Sequence, residues 1–183
     1  MGWRSWTWSL EDELYLPKRK VSNRGSHYDH HIIGSFFSQK NKRTVEYESL
    51  SERLFYYYLE LDTEVIRYYV QPVEVSIFEE GHEWFHVPDV LVFRQGHIPL
   101  LYQIKLEPKE ERNNDRTELC NKYCRTYASK KDWEYQVVFP KTPPISLSRN
   151  LKFLKGFLKE RKYYSQWYNP VIYRLQCIWV LSS

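Results

Sequence analysis

VPDVLV (residues 87–92) and LLYQIK (residues 100–105) are the two stretches that decide the fold. Both are short apolar runs, and Arg94-Gln95-Gly96-His97 between them is typical of a tight turn, so together they predict a β-hairpin. Side chains alternate along a strand, so Gln103 and Lys105 would share one face. Asp89 precedes Gln103 by 103 − 89 = 14 residues, and a hairpin of that length brings its carboxylate beside that face.

Outward from this hairpin, the hydrophobic pattern alternates between helix and strand. Residues 46–62 predict an amphipathic helix because Leu50, Leu54, Tyr58 and Leu61 recur at helical spacing. Strands are predicted at 65–69, 73–78 and 83–87, with a hairpin turn at 79–82. Helices are predicted at 115–130 and 147–162, a strand at 135–139, and strand-like segments at 171–173 and 177–181. The fold class we expect is α/β, with a central mixed β-sheet flanked by helices.

The chain length of 183 residues suits one core with small appendages. We divide it into a basic and aromatic N-terminal arm (1–44), a core (45–140) and a C-terminal helix with a short tail (141–183). Within the arm, residues 1–16 are tryptophan-rich without a clear period, which indicates a segment that docks on something. Residues 17–44 are expected to be extended or irregular.

The positive charge is concentrated in the arm. The chain carries a net charge of +4, whereas residues 17–44 hold seven basic residues against one acid, which gives 7 − 1 = +6. Such a concentration suits a phosphate backbone, although a merely solvated basic arm explains it equally well. The candidate DNA-binding residues are Lys18, Arg19, Lys20, Lys40, Lys42 and Arg43.

The remaining composition points to a reducing compartment. Cys120, Cys124 and Cys177 form no even disulfide framework and lack a second ligand pair at zinc spacing. We expect no membrane span and no signal peptide, since no segment approaches the roughly 18 apolar residues that a span requires. The expected location is the bacterial cytoplasm.

Four polar residues form a candidate active site: Glu52 on the first long helix, Asp89, Gln103 and Lys105. Carboxylate and amide oxygens are the ligands that Mg²⁺ prefers, with Mn²⁺ as a substitute. Asp89 would be the central ligand, with Glu52 and the Gln103 side-chain oxygen beside it, while Lys105 would orient water or neutralise charge at phosphorus. Each residue alone is more often structural, but polar groups on an otherwise apolar strand are costly unless used. Glu48, four residues before Glu52, is a second candidate acid.

Several of these stretches resemble TnsA, the endonuclease subunit of heteromeric bacterial transposases. The resemblance covers roughly residues 35–158 and is carried by SQKNKRTV (38–45), ESLSER (48–53), VIRYYVQP (65–72), VPDVLV (87–92) and QIK (103–105). It implies a restriction-endonuclease-like, PD-(D/E)xK fold, in which Gln103 matches the family's variant before the catalytic lysine. By motif, Glu52, Asp89 and Lys105 carry over as the catalytic set, with Gln103 in the metal shell. Glu52 is preferred to Glu48 because it lies 60 − 52 = 8 residues before Glu60, as the family's acid does before its helix end.

The resemblance also implies a reaction and partners. Members of the family cleave the 5′ strands at transposon ends, while a TnsB-type transposase cuts and joins the 3′ ends and a TnsC-type AAA+ regulator links them to target selection. The chain departs from larger members at its C-terminus, where only residues 141–183 stand in place of a sizeable helical domain. Gln71-Pro72 matches a family landmark, for which we expect a turn-setting or hydrogen-bonding role.

Two other interpretations stay open. One is a different nuclease on the same fold, such as a Holliday-junction resolvase or a restriction subunit, although those more often carry Glu-x-Lys than the Gln-x-Lys found here. The other is a non-catalytic module that binds DNA or bridges a transposase. The joint presence of Glu52, Asp89 and Lys105 favours an enzyme, because inactive relatives usually lose one such residue.

Overall fold

A computed structural model describes residues 2–19, 33–105, 114–140 and 145–157. After a short 3₁₀ turn at Trp3–Ser5, the described helices are α1 (Ser9–Leu14), α2 (Leu50–Leu61), α3 (Asn114–Ser129) and α4 (Ile145–Phe157). The described strands are β1 (Gly34–Ser38), β2 (Arg43–Tyr47), β3 (Val65–Val70), β4 (Val75–Glu79), β5 (His82–His86), β6 (Val90–Arg94), β7 (Leu100–Ile104) and β8 (Glu134–Val138). The predicted helix end at 158–162, the predicted strand-like segments at 171–173 and 177–181, and the tail lie outside the described residues.

The central sheet has four described strands in the order β3-β6-β7-β8. β3 and β7 both pair with β6 in antiparallel fashion, which confirms the predicted hairpin, whereas β7 and β8 are parallel. A parallel pair needs a crossover, and α3 lies between these two strands along the chain. The sheet is therefore mixed and flanked by helices, as the sequence predicts.

β6 shows how the sheet divides the core in two. Val90 and Val92 pack on one side with Tyr56 and Leu59 of α2. Leu91 and Phe93 pack on the other side, together with Cys124 of α3 and aromatic residues of the N-terminal segment. A strand buried on both faces reads as a continuous apolar run, which is the pattern of VLVF at 90–93.

Helix α2 differs from its prediction in both its start and its buried face. It begins at Leu50, since residues up to Tyr47 belong to β2. The predicted apolar stripe is wrong at Leu50 and Tyr58, which are 45% and 41% exposed. The reason is that α2 lies between two partners: Tyr56 and Leu59 face the sheet, while another side packs on Leu151 of α4.

The tryptophan-rich N-terminal segment docks on the core, as its composition predicts. Trp3 is buried, packs edge-on against Phe93 with ring centroids 5.2 Å apart, and donates its indole N–H to the His97 carbonyl at 2.8 Å. Residues 17–44 are expected to be extended or irregular, and their described part after residue 33 is largely extended, since β1 pairs with β2. The division at residues 44 and 45 consequently falls inside β2.

The remaining predicted elements agree closely with the structure. The turn at 79–82 closes the β4–β5 hairpin, with Glu79 paired to His82 and positive φ at both Glu80 (48°) and Gly81 (82°). Those angles suit a two-residue turn whose twist matches the flanking strands. On α4 the predicted apolar side is only partly buried, since Leu151 is 6% exposed and Leu154 is 50% exposed. None of the described helices is long and apolar enough to cross a bilayer.

Candidate active site

Asp89 and Gln103 meet because of the β6–β7 register. Val90 pairs with Tyr102, so continuing the ladder by one residue sets Asp89 opposite Gln103. Residues opposite each other in an antiparallel pair project on the same face. The Gln103 amide Nε2 accordingly donates to Asp89 Oδ2 at 2.6 Å, and the backbone N–H of Ile104 donates to the same oxygen at 2.6 Å. The predicted proximity of these two side chains is confirmed.

The backbone of Asp89 is held from both sides. Its N–H donates to the Tyr102 carbonyl at 3.0 Å, and its carbonyl accepts from the Gln71 N–H at 2.8 Å. Gln71 is buried and adopts a left-handed conformation with φ of 47°, while its own carbonyl accepts from the Lys18 N–H at 2.9 Å. Gln71 therefore has the turn-setting and hydrogen-bonding role expected of it, and it links the N-terminal segment to Asp89.

Glu52 is positioned by the start of α2. Ser49 is the N-cap residue, and its hydroxyl accepts from the Glu52 N–H at 3.1 Å. The Glu52 carboxylate in turn accepts from the Ser49 hydroxyl at 3.2 Å and from the Glu48 N–H at 2.9 Å. This is a variant of the capping box, in which a serine and a glutamate three residues later satisfy the free N–H groups of a helix start. The sequence Ser-Leu-Ser-Glu at 49–52 carries the Ser-x-x-Glu pattern of such a box.

Three carboxylates concentrate negative charge at this end of the sheet. Asp89 is only 7% exposed, and its pKa is raised to about 7. Burial is the main cause, the Ile104 N–H opposes the shift, and the charges of Glu52 and Glu48 add to it. Burial also raises the pKa of Glu52. Arg19 forms an ion pair with Glu48 and lowers the pKa of both Asp89 and Glu52. The cluster thus favours an additional cation.

His86 is the site residue that sequence reasoning missed. It ends β5, a strand outside the central sheet, and its ring Nε2 lies 2.8 Å from the Oε1 atom of Gln103. Burial lowers the His86 pKa, and the positive charges of Lys105 and Arg19 lower it further, so the ring is neutral at physiological pH. A lone histidine in a strand gives no sequence signal of such a contact.

Lys105 follows β7 directly and lies beside this group. Its backbone N–H donates to the Val138 carbonyl at 2.9 Å, which fixes its position at the end of the parallel pair. Burial is the main cause of the lowered pKa of the His86 ring, and the positive charge of Lys105 lowers it further. The ammonium group forms no ion pair with any of the described residues. The structure thus brings Asp89, Gln103 and His86 into direct contact, with Glu52 and Lys105 within electrostatic reach.

The five described candidate DNA-binding residues do not form one patch. Arg19 lies at the carboxylate cluster, whereas Lys40 donates to the carbonyls of Asp62 and Val65 beyond the far end of α2. Glu52 and Asp62 are ten residues apart, which is about 15 Å along a helix. Arg43 lies over the Tyr69 ring at 5.2 Å, Lys42 is exposed, and Lys18 contacts the Leu14 carbonyl at 2.9 Å. Lys20 lies outside the described residues.

The donor chemistry at Asp89 fits a hard divalent cation such as Mg²⁺. The available atoms are carboxylate and amide oxygens. The negative charge on the buried Asp89 and the half-buried Glu52 is of the sign that a cation would offset. Among the described residues no group of three or more His, Cys, Asp or Glu side chains is arranged to hold a metal ion, so the set would have to include Gln103. The Gln103 oxygen, however, faces His86 in this structure.

Comparison with known proteins adds no identification. No family model matches the chain, and no curated protein matches it in sequence. The chemistry of the site is therefore the ground for a functional assignment.

Proposed function

We propose that the chain is a metal-dependent DNA endonuclease of the PD-(D/E)xK type. The observation that carries the proposal is the contact between Asp89 and Gln103 at 2.6 Å, beside the half-buried Glu52 and the cation of Lys105. The set contains two acids, an amide and a lysine, which lie at the ends of two adjacent antiparallel strands and at the start of a helix. Such a set is suited to phosphodiester hydrolysis. The mixed sheet with flanking helices is compatible with that fold.

Each residue has a distinct part in this proposal. Asp89, Glu52 and the Gln103 oxygen would hold Mg²⁺, which when bound polarises the phosphate and lowers the pKa of water. Asp89 is suited to the central position, because its backbone is fixed by Gln71 and Tyr102 and its carboxylate is almost fully buried. Lys105 would place a positive charge against the phosphate, where charge develops during the reaction.

We further infer that the biological context is transposition. The resemblance of residues 35–158 to TnsA supports a subunit that cleaves the 5′ strands at transposon ends, together with a TnsB-like transposase and a TnsC-like AAA+ regulator. Among the described basic residues of the arm, Arg19, which forms an ion pair with Glu48, is best placed to contact a phosphate near the reacting one.

The alternative is a DNA-binding or bridging subunit, and one observation favours it. Both carboxylate oxygens of Glu52 accept hydrogen bonds at the start of α2, and the Gln103 oxygen faces His86. In that case the carboxylates only stabilise the start of α2 and the β6–β7 hairpin, and the chain binds DNA or a partner without catalysing a reaction.

Strand-specific cleavage separates the two functions. The assay compares the wild type with Asp89→Ala on a transposon-end DNA, in the presence of the TnsB-like partner transposase and Mg²⁺. Asp115→Ala, which removes an exposed aspartate from the first turn of α3, is the matched control. We expect Asp89→Ala to lose the 5′ cuts only, with DNA binding retained and the control unaffected. Unchanged cutting of both strands would assign the chemistry to the transposase and leave this chain as a bridging subunit.

A further inference from the structure

The side-chain amide of Gln103 connects two residues of opposite hydrogen-bonding character. Its nitrogen donates to Asp89 Oδ2 at 2.6 Å and its oxygen lies 2.8 Å from His86 Nε2. Asp89 Oδ2 accepts from both the Gln103 amide and the Ile104 N–H, so this oxygen draws the amide nitrogen toward itself. The oxygen is then left to His86, whose ring must present a protonated Nε2.

This orientation leaves the Gln103 oxygen on the wrong side for a cation at Asp89. A rotation of the Gln103 amide by half a turn about its Cγ–Cδ bond places the oxygen where the nitrogen was and the nitrogen where the oxygen was. The amide nitrogen would then face His86 Nε2, and that atom would have to accept. A neutral imidazole can do so by carrying its proton on Nδ1 instead, because one of its two nitrogens donates while the other accepts.

We propose that His86 is a positioning residue, which allows the Gln103 amide to turn over and present its oxygen beside Asp89 when a divalent cation binds. The inference rests on the proposed metal-dependent function and adds a residue and a conformational step to it. Residues that hydrogen-bond to the ligands of a metal ion commonly set the orientation of those ligands. A side chain that can only donate would leave one of the two amide orientations without a partner, and a side chain that makes no hydrogen bond would leave both without one.

The hairpin that carries His86 is anchored on α3, so the ring is held in place. His86 pairs with Val75 across the hairpin, next to the buried Val75 side chain. Arg116 of α3 lies over the Trp84 ring at 4.3 Å, and the Tyr123 hydroxyl donates to the Phe78 carbonyl at 3.0 Å. These contacts hold β4 and β5 while the amide of Gln103 turns about a single bond.

The tautomer of His86 is the first readout. Imidazole nitrogens that carry a proton are distinguished from those that do not by ¹⁵N NMR of the full chain. The His86 signals are identified as those missing from His86→Gln. We expect Nε2 to be protonated without Mg²⁺ and Nδ1 to be protonated at saturating Mg²⁺. His82, which is exposed at the other end of β5, is expected to keep its tautomer.

Mg²⁺ affinity, measured by titration calorimetry, is the second readout. We expect His86→Ala to bind about tenfold more weakly, at the lower end of the range for residues behind the first ligands. His86→Gln should bind nearly as the wild type does, since an amide can donate or accept. His82→Ala is the matched control and should have no effect. Melting curves without Mg²⁺ show whether His86→Ala is folded, and the NMR test on the wild type does not depend on that variant.

The outcomes separate this inference from the proposed function. Mg²⁺ binding by the wild type with an unchanged His86 tautomer would overturn the role of His86 and leave the nuclease proposal standing. Equal affinities of the wild type and a folded His86→Ala would do the same. An absence of Mg²⁺ binding by the wild type would overturn both proposals. A tautomer change together with weaker binding by His86→Ala would support both.

Discussion

Ser49 and Glu52 hydrogen-bond to each other in both directions: the Ser49 hydroxyl accepts from the Glu52 N–H at 3.1 Å and donates to the Glu52 carboxylate at 3.2 Å. This pair of hydrogen bonds thus sets both the start of α2 and the position of Glu52, the candidate catalytic acid. A glutamate that only caps the helix and a glutamate that also holds a cation make different predictions for substitution.

Glu52→Gln separates the cap from the charge. Glutamine serves at this position of a capping box, so we expect the free energy of unfolding to change little while 5′-strand cleavage is lost. Ser49→Ala should instead affect stability, and lower the free energy of unfolding by about 1 kcal/mol, because the N-cap acceptor is removed. Urea unfolding and the strand-cleavage assay measure the two effects. Cleavage at the wild-type rate by Glu52→Gln would assign Glu52 to the cap alone.

Asp89→Asn tests the charge buried beside Gln103. Burial raises the pKa of Asp89 from 3.8 to about 7, so protonation favours the folded state. The stability contributed by this group is fully present below its ordinary pKa and is lost as the pH rises through about 7. We therefore expect Asp89→Asn to melt at a higher temperature than the wild type at pH 8 and at about the same temperature near pH 4.

Mg²⁺ provides the control for that comparison. A ligand that binds only the folded state raises its stability, so Mg²⁺ at pH 8 should raise the melting temperature of the wild type and not that of Asp89→Asn. An equal rise in both proteins would place the cation elsewhere. A gap between them that does not close toward pH 4 would contradict the raised pKa of Asp89.

Trp3→Ala tests whether the N-terminal segment belongs to the core. Trp3 is 8% exposed, contacts Phe93 and donates to the His97 carbonyl, so we expect a loss of about 3–5 kcal/mol in unfolding free energy. Leu10→Ala is the control, because Leu10 is 76% exposed and its truncation should change stability by less than about 0.5 kcal/mol. Chemical unfolding of the two variants should therefore differ clearly, and similar small losses would mean that the segment is not docked in solution.

Lys40 and Lys42 test the division of the basic residues. Lys40 donates to two carbonyls beyond α2, and burial lowers its pKa to about 8, so Lys40→Met should cost about 1–3 kcal/mol of stability and leave DNA affinity unchanged. Lys42 is exposed with φ of 53°, so Lys42→Asn, which tolerates that conformation, should leave stability unchanged. If Lys42 contacts a phosphate, the salt dependence of DNA binding falls by about one unit of slope, as measured by fluorescence anisotropy. Weaker DNA binding by a folded Lys40→Met would contradict this division.

The central hairpin could be predicted from the sequence because its determinants are local. The apolar runs, the turn at residues 94–97 and the alternation of strand side chains together set Asp89 beside Gln103, and the structure has them 2.6 Å apart. The pairing needs only a tight turn and the pleat of two adjacent strands. The same reasoning identified the β4–β5 turn.

The rest of the site depends on tertiary contacts that no local pattern reports. His86 reaches Gln103 from a separate two-stranded sheet, and Arg19 pairs with Glu48 across 29 residues. The stripe on α2 was misplaced for the same reason, since the second partner of that helix, Leu151 of α4, lies about a hundred residues further along the chain. Periodicity indicates that a helix has a buried face, and packing determines which side it is.

The hydrogen bond between Trp3 and His97 spans 94 residues, and it has a consequence for synthesis. At roughly 5 to 20 residues per second, the ribosome needs on the order of 5 to 20 s to add that length of chain. During that interval the tryptophans near the N-terminus have no Phe93 or His97 to pack against, and they remain accessible to chaperones and proteases. The aromatic cluster closes only after the β6–β7 turn has emerged, so Trp3 is buried only long after it has been synthesised.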